Sequence, residues 1–212
     1  MYKVIIVEDQ ELTASGHANP LKMPDFSVIA TYHDRKQLRQ SPLLNSAHLI
    51  LLDLKLPEER SDSHAIGTCV PTIDLVSDLI KQYPSLRIVL LTNESSQYYI
   101  LHSKIAGAHG YLVKSQVGLA GTLPETLLSI LADGRRIFPE ADYPSEVMEL
   151  SEAELRVLIA KIENPGKSSK HVGQLLGSKS STVRNHLSSA YKKLGVNSLD
   201  EARQRLLELG MA

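Results

Sequence analysis

The chain has 212 residues, room for one large domain or two small ones, with 42% hydrophobic residues and a net charge of −1, an ordinary globular composition. Cys69 is the sole cysteine, which excludes an internal disulfide and a thiolate metal cluster. No apolar run approaches membrane-spanning length and no basic-then-apolar leader opens the chain, so a cytoplasmic protein with no membrane partner is expected.

In chain order, Tyr2–Val7 reads as a strand that ends in Glu8-Asp9. A helix is expected from Glu11, weakened by Gly16 and stopped early by Pro20. Phe26–Tyr32 is the next strand and Arg35–Leu44 a short helical segment. His48–Leu52 is mostly apolar, as in a strand buried on both faces of a parallel sheet, and it stops abruptly at Asp53. Glu58–Pro71 is polar and reads as a long loop beside that acid, either solvated surface or a gate over it. Ile73, Val76, Leu79 and Ile80 then form a helix face, and Leu86–Leu91 a strand that ends in Thr92. Tyr98–Ala106 is helical, Gly110–Val113 is a short strand ending in Lys114, and Leu123–Leu131 is a further helix.

Alternation of strands and helices implies an α/β fold, a doubly wound five-stranded parallel sheet of flavodoxin-like type. Such sheets carry their chemistry at the carboxyl ends of the strands. There Glu8, Asp9, Asp53, Thr92 and Lys114 would converge on one rim. Crowded carboxylates repel unless a cation neutralises them, and their hard oxygens suit Mg²⁺. The same cation would ease approach of a phosphoryl group to Asp53, while Lys114 and the Thr92 hydroxyl could each meet a phosphate oxygen.

Pro139–Glu149, with two prolines, several acids and no clear period, reads as an interdomain linker. Beyond it Ser151 and Glu154 have capping-box spacing, and Leu150 with Leu155 fits a hydrophobic staple. Leu155, Leu158, Ile159 and Ile162 line one face of that helix until Asn164-Pro165-Gly166 breaks it. Ser169–Leu176 is a second short helix, Gly177 a turn, and a third helix capped by Ser180 or Ser181 runs to Leu194. Ser198 and Glu201 open a fourth. On the third helix Val183, Leu187, Ala190, Tyr191 and Leu194 share one side, while Asn185, Ser188 and Lys192 point away with Arg184 on the flank. From Asn164 to Leu199 there is no Asp or Glu, whereas Lys167, Lys170, Lys179, Arg184, Lys192 and Lys193 are all basic. Concentrated positive charge in a neutral chain points to a phosphate backbone.

Two resemblances follow. The pieces V-E-D at Val7–Asp9, L-L-D-L-K-L-P at Leu51–Pro57, L-T at Leu91–Thr92 and A-G-A-H-G-Y-L-V-K at Ala106–Lys114 resemble a response-regulator receiver domain. Ser168–Leu187 and the following Y-K-K-L-G-V resemble a LuxR-type helix-turn-helix domain, so the whole chain looks like a NarL/FixJ-type two-component response regulator. The likeness implies a receiver over 1–137, a linker over 138–149 and an all-α four-helix DNA-binding domain over 150–212. It makes Asp53 the phosphoacceptor, fed by the phosphohistidine of a sensor histidine kinase. Mg²⁺ would be held by Glu8, Asp9, Asp53 and the Lys55 backbone carbonyl. Thr92 and Tyr111 would be the switch pair, the ring moving inward on phosphorylation, although Tyr111 also reads as a plain half-buried aromatic. Arg184, Asn185 and Ser188 would face bases of double-stranded DNA, with Lys170, Thr182, Lys192 and Lys193 on phosphates, and a homodimer would read two half-sites.

Three features depart from the family pattern: the long loop after Pro57, the weak first helix with Pro20, and Ser115 in place of the proline usual after the lysine. They leave room for a DNA-binding regulator controlled by a partner or ligand, or for an adaptor acting through protein contacts alone. A haloacid-dehalogenase-like phosphatase would need an acid two residues after Asp53, where Lys55 stands. No enzymatic turnover is expected beyond phosphorylation and slow dephosphorylation of Asp53 itself.

Overall fold

Three largely apolar strands occupy the middle of a sheet whose two faces are both covered by helices. In a computed structural model of the chain, described over residues 1–61, 69–116, 122–140 and 143–211, these are β1 (Tyr2–Val7), β3 (Leu49–Leu52) and β4 (Arg87–Thr92). The flanking strands are β2 (Phe26–Tyr32) and β5 (Gly110–Val113), giving a parallel sheet of order β2-β1-β3-β4-β5. Alternate residues serve opposite faces. Val4, Ile6, Leu49, Leu51, Val89, Leu91 and Leu112 pack with residues of α1 (Glu11–Ala18) and α5 (Thr122–Ala132) in one core layer. Ile5, Ile50, Leu52, Ile88 and Leu90 are fully buried as well, and by strand period they face the other layer.

Several boundaries differ from the sequence expectation for physical reasons. Helix α2 is only Arg35–Arg39, because Pro42 disfavours helical backbone in the residue before it and cannot donate within a helix. Helix α3 (Val70–Gln82) starts three residues before Ile73, with Pro71 in its first turn, where a missing N–H costs nothing. The last two residues of the expected loop, Val70 and Pro71, are thus helical, and residues 62–68 lie outside the described residues. Helix α1 is indeed short, and a 3-10 turn at Asn19–Leu21 takes in Pro20. Helix α4 covers Gln97–Ile105.

Contacts divide the chain into two units, Met1–Ser95 with Ser103–Pro139, and Ser96–His102 with Glu140–Ala212. The second is all-helical beyond residue 140: α6 (Ser145–Met148), α7 (Glu152–Glu163), α8 (Ser169–Leu175), α9 (Ser180–Leu194) and α10 (Leu199–Glu208). Helix α6 falls within the stretch expected to be linker. Its Val147 is buried, so this end of the stretch is folded structure. Ser151 and Glu154 close the capping box at the start of α7, and Ser198 caps α10. Neither Ser180 nor Ser181 caps α9: Lys179 takes the N-cap position with no side-chain bond, and Ser180 is already helical. Gly195, at φ 69°, ends α9 in the left-handed conformation that suits glycine. Among the described residues no helix is long and apolar enough to cross a membrane.

Candidate functional site

Register brings the acids together. Val7 pairs with Leu52 across β1 and β3, and the Asp53 amide donates to the Val7 carbonyl at 2.9 Å. Glu8 and Asp53, one step beyond that pair, therefore emerge side by side. Thr92 pairs with Val113, and the Lys114 amide donates to the Thr92 carbonyl at 2.7 Å, so these two leave the sheet at the same rim.

Carboxylate oxygens of Glu8, Asp9 and Asp53 lie within 4.8 Å of one another. The Lys114 ammonium sits between two of them, 2.7 Å from Glu8 Oε2 and 2.7 Å from Asp53 Oδ2. Burial works against its charge, but the Asp53 and Glu8 carboxylates outweigh that and hold the Lys114 pKa above the ordinary lysine value. Glu8 is itself buried, and burial is the main cause that pushes its pKa up to about 7, the charge of Asp53 adding to it against the Lys114 hydrogen bond. Three carboxylates facing one ammonium thus leave a site that favours a proton or a cation. Clustered oxygen donors of this kind suit a hard dication such as Mg²⁺.

The rest of the rim closes around this cluster. Lys55 forms an ion pair with Glu94, and the Lys55 amide donates to Asp53 Oδ1 at 3.3 Å. Thr92 is buried, its hydroxyl oxygen accepting from the Glu94 amide at 3.3 Å. Tyr111 is 1% exposed and its hydroxyl donates to the Glu94 carbonyl at 3.0 Å. The ring is therefore already inside, and the half-buried alternative does not hold. An inward swing of the ring does not start from the arrangement seen here.

Two histidines that sequence reasoning passed over back Glu8. His17, buried on α1, holds Nδ1 3.8 Å from Glu8 Oε2, too far for a hydrogen bond, and burial together with Lys114 lowers its pKa to about 4, so it is neutral. His33 Nδ1 lies 2.8 Å from the Glu8 carbonyl. Neither carries a sequence signal, because scattered histidines show no ligand-like spacing.

In the second unit α9 packs on α7 and α8, with Val183, Leu187, Ala190 and Leu194 buried. Lys170, Thr182, Arg184, Asn185, Ser188 and Lys192 are all exposed. Lys193 is not equivalent to them. Its ammonium donates to Glu154 Oε2 at 2.7 Å and to the Glu149 carbonyl at 2.9 Å. Burial pushes the Glu154 pKa up, but hydrogen bonds from Lys193, Ser189 and Ser151 outweigh it and hold the carboxyl down to about 2. The capping-box pattern identified Glu154 from the sequence; its ties to α9 lie 35 and 39 residues away and were not legible. Gly173 was missed too. A Cβ there would come 2.5 Å from the Ser178 carbonyl oxygen, so the close approach of α8 to the turn before α9 requires glycine.

Residues 4–118 match the family described as response regulator receiver domain, and residues 148–205 the family of bacterial regulatory proteins, luxR family. The chain is a response regulator of the NarL/FixJ type. The regulator is 35% identical over 214 residues to the transcriptional regulatory protein DesR of Bacillus subtilis, covering 99% of this chain and 98% of that one. It is 24% identical over 226 residues to the transcriptional regulatory protein DegU of Brevibacillus brevis, with 94% and 90% covered. Its fold is similar to that of RcsB from Salmonella enterica serovar Typhimurium bound to promoter rprA in the presence of phosphomimetic BeF3-, with a TM-score of 0.67 at 23% identity, covering 98% and 99% of the two chains. The regulator thus joins a receiver to a luxR-type DNA-binding domain and acts in transcription regulation rather than as a metabolic enzyme.

Proposed function

We propose that the regulator is switched by phosphorylation of Asp53 and that this state governs its binding to DNA. The observation that carries the reading is the convergence of Glu8, Asp9 and Asp53 within 4.8 Å, with Lys114 bridging Glu8 and Asp53. Glu8, Asp9, Asp53 and the Lys55 carbonyl would hold Mg²⁺, which when bound supplies positive charge against an incoming phosphoryl group. Asp53 attacks the phosphorus of a phosphohistidine on a sensor histidine kinase; the new O–P bond forms as the N–P bond breaks, and the imidazole leaves. Lys114 pairs with an oxygen of the transferred group, trading part of its hold on Glu8 and Asp53 for the phosphate. Thr92 turns its hydroxyl to the same group, releasing the Glu94 amide, and Tyr111 follows through its bond to the Glu94 carbonyl.

We assign the receiver to 1–137 and the DNA-binding domain to 150–212, with 138–149 as the connection. On the DNA side, Arg184, Asn185 and Ser188 read base edges in the major groove, and Lys170, Thr182 and Lys192 hold phosphates. Lys193, engaged by Glu154, contributes charge at the same helix end more than a free clamp. Two copies dimerise on activation and read two half-sites in the cytoplasm. Driving such an equilibrium from 1:99 to 99:1 takes about 5.5 kcal/mol of differential stabilisation.

The test is incubation of the full chain with acetyl phosphate and Mg²⁺, followed by a gel shift on promoter fragments. Wild type should label at one site and bind DNA more tightly; Asp53→Asn should do neither. Labelling retained by D53N would reject the site, and DNA binding unmoved by phosphodonor would hand control to a partner or ligand instead.

A further inference from the structure

Immediately after Asp53 the chain runs over the amino end of α2, and there it is gripped from several directions by residues that the phosphoryl chemistry does not use. The Arg35 amide donates to the Pro57 carbonyl at 3.1 Å and the Lys36 amide to the Glu58 carbonyl at 3.0 Å. Asp34 caps α2 through Gln37 with one carboxylate oxygen and accepts from the Arg60 amide at 3.1 Å with the other. The Arg35 side chain, 9% exposed, reaches further in. Its Nη1 donates to the Leu56 carbonyl at 2.5 Å and to Thr72 Oγ1 of α3 at 3.4 Å, and its Nε to Glu58 Oε2 at 3.1 Å. Arg39 forms an ion pair with the other oxygen of Glu58, and Lys36 one with Glu59 at 2.7 Å.

Much of this is more than a surface salt bridge. A guanidinium buried under a loop would be costly unless its donors were used, and here it is aimed at a backbone carbonyl, a carboxylate and a hydroxyl from two different elements. The carbonyl belongs to Leu56, the residue after Lys55, and Leu54 and Leu56 are themselves fully buried on either side. The Lys55 carbonyl therefore lies on a short segment fixed on either side of it, at Asp53 by the sheet and at the Leu56 carbonyl by Arg35. Both stems of the connection between β3 and α3 are tied to this one side chain, at Leu56 and Glu58 before it and at Thr72 after it.

We propose that Arg35 is a positioning residue of the phosphorylation site: it holds the Lys55–Glu58 backbone so that the Lys55 carbonyl is presented to the divalent ion together with the Glu8, Asp9 and Asp53 carboxylates. The inference rests on the reading of that acid cluster as a Mg²⁺ site. It also accounts for how a receiver with an extended β3–α3 connection keeps the residues next to its phosphoacceptor in place. Lysine cannot substitute, because an ammonium lacks the planar fork that meets Leu56 and Glu58 at once. Groups that orient a metal ligand without touching the metal carry effects of about tenfold or more on affinity.

The experiment is a metal titration of the full chain, with free Mn²⁺ counted by electron paramagnetic resonance and Mg²⁺ as competitor. Wild type should bind Mn²⁺ in a form that Mg²⁺ displaces. Arg35→Lys should bind about tenfold more weakly while circular dichroism shows an unchanged fold. Glu58→Gln, which keeps the Leu56 bond but loosens the other side of the grip, should shift the affinity in the same direction, and it decides the matter if R35K does not fold. Arg136→Ala serves as the control. Arg136 donates to the Lys104 and Ala108 carbonyls near the amino end of β5, so its loss disturbs the receiver without touching the acids. The proposal is overturned if R35K, or E58Q where R35K does not fold, binds Mn²⁺ within about twofold of wild type, or if R136A weakens binding as much as that variant does. Absence of Mn²⁺ binding in wild type would instead remove the metal site itself, and this inference with it.

Discussion

The ammonium of Lys114 lies 2.7 Å from a carboxylate oxygen of Glu8, a residue 106 positions earlier in the chain, and equally close to Asp53. One cation thus holds two largely buried acids at the sheet rim. Replacing it, as in Lys114→Gln, leaves those acids to repel each other out of solvent. The expected loss is about 3 kcal/mol of unfolding free energy in EDTA, read by urea denaturation, with part of it recovered when Mg²⁺ is added. A variant as stable as wild type in EDTA would show that the pairing contributes nothing.

Glu154 makes the second unit acid-sensitive. Its folded pKa of about 2 lies below the ordinary 4.5, so the folded state holds this proton less tightly than the unfolded chain. The sign follows: the contribution is complete above about 4.5 and is lost as pH falls toward about 2. The protection of the α9 amides against hydrogen exchange in the full chain, taken relative to the intrinsic rate at each pH, should fall over that window in wild type. Glu154→Gln should exchange faster at neutral pH and respond far less to acid there, and Lys193→Ala should shift partway toward it. Identical acid profiles for wild type and E154Q would contradict this account.

Gly173 should tolerate no side chain. With the Ser178 carbonyl oxygen 2.5 Å from where a Cβ would be, Gly173→Ala forces α8 and the turn apart. The cost is about 1–3 kcal/mol in urea denaturation, accompanied by weaker DNA binding because α9 is no longer held at its angle. Gly166, with open space around its Cβ position, provides the contrast, although its φ of 75° carries a backbone penalty of its own.

Lys192 and Arg184 should fail differently on DNA. Both are exposed on α9. Lys192→Ala should weaken binding across all sequences and lower the salt slope by about 1, the mark of one lost phosphate contact. Arg184→Ala should cost about 1–3 kcal/mol on the preferred site and relax discrimination there. Gel shifts on specific and scrambled fragments at several salt concentrations separate the two patterns. A sequence-selective loss for K192A would move it from the backbone to the bases.

Short-range signals in the chain are legible where one element suffices. The buried strands were legible because residues covered on both faces must be apolar throughout, and the acids ending β1 and β3 stood out against them. The caps at Ser151 and Ser198 were legible because capping spans only three residues. Boundaries set by proline were less so: Pro42 ended α2 and Pro71 began α3, since the same residue breaks a helix interior and suits its first turn.

By itself, then, the sequence determined the sheet, the rim that carries Glu8, Asp9, Asp53, Thr92 and Lys114, and the basic helix-turn-helix that follows, all of which follow from periodicity, strand ends and local charge. Only the tertiary structure decided that Tyr111 is already buried, that Lys193 is committed to Glu154, and that Arg35 grips the backbone beside Asp53. Each of those depends on partners 17 to 39 residues away, brought near by packing, and no local pattern encodes which polar group a side chain meets once the chain has folded.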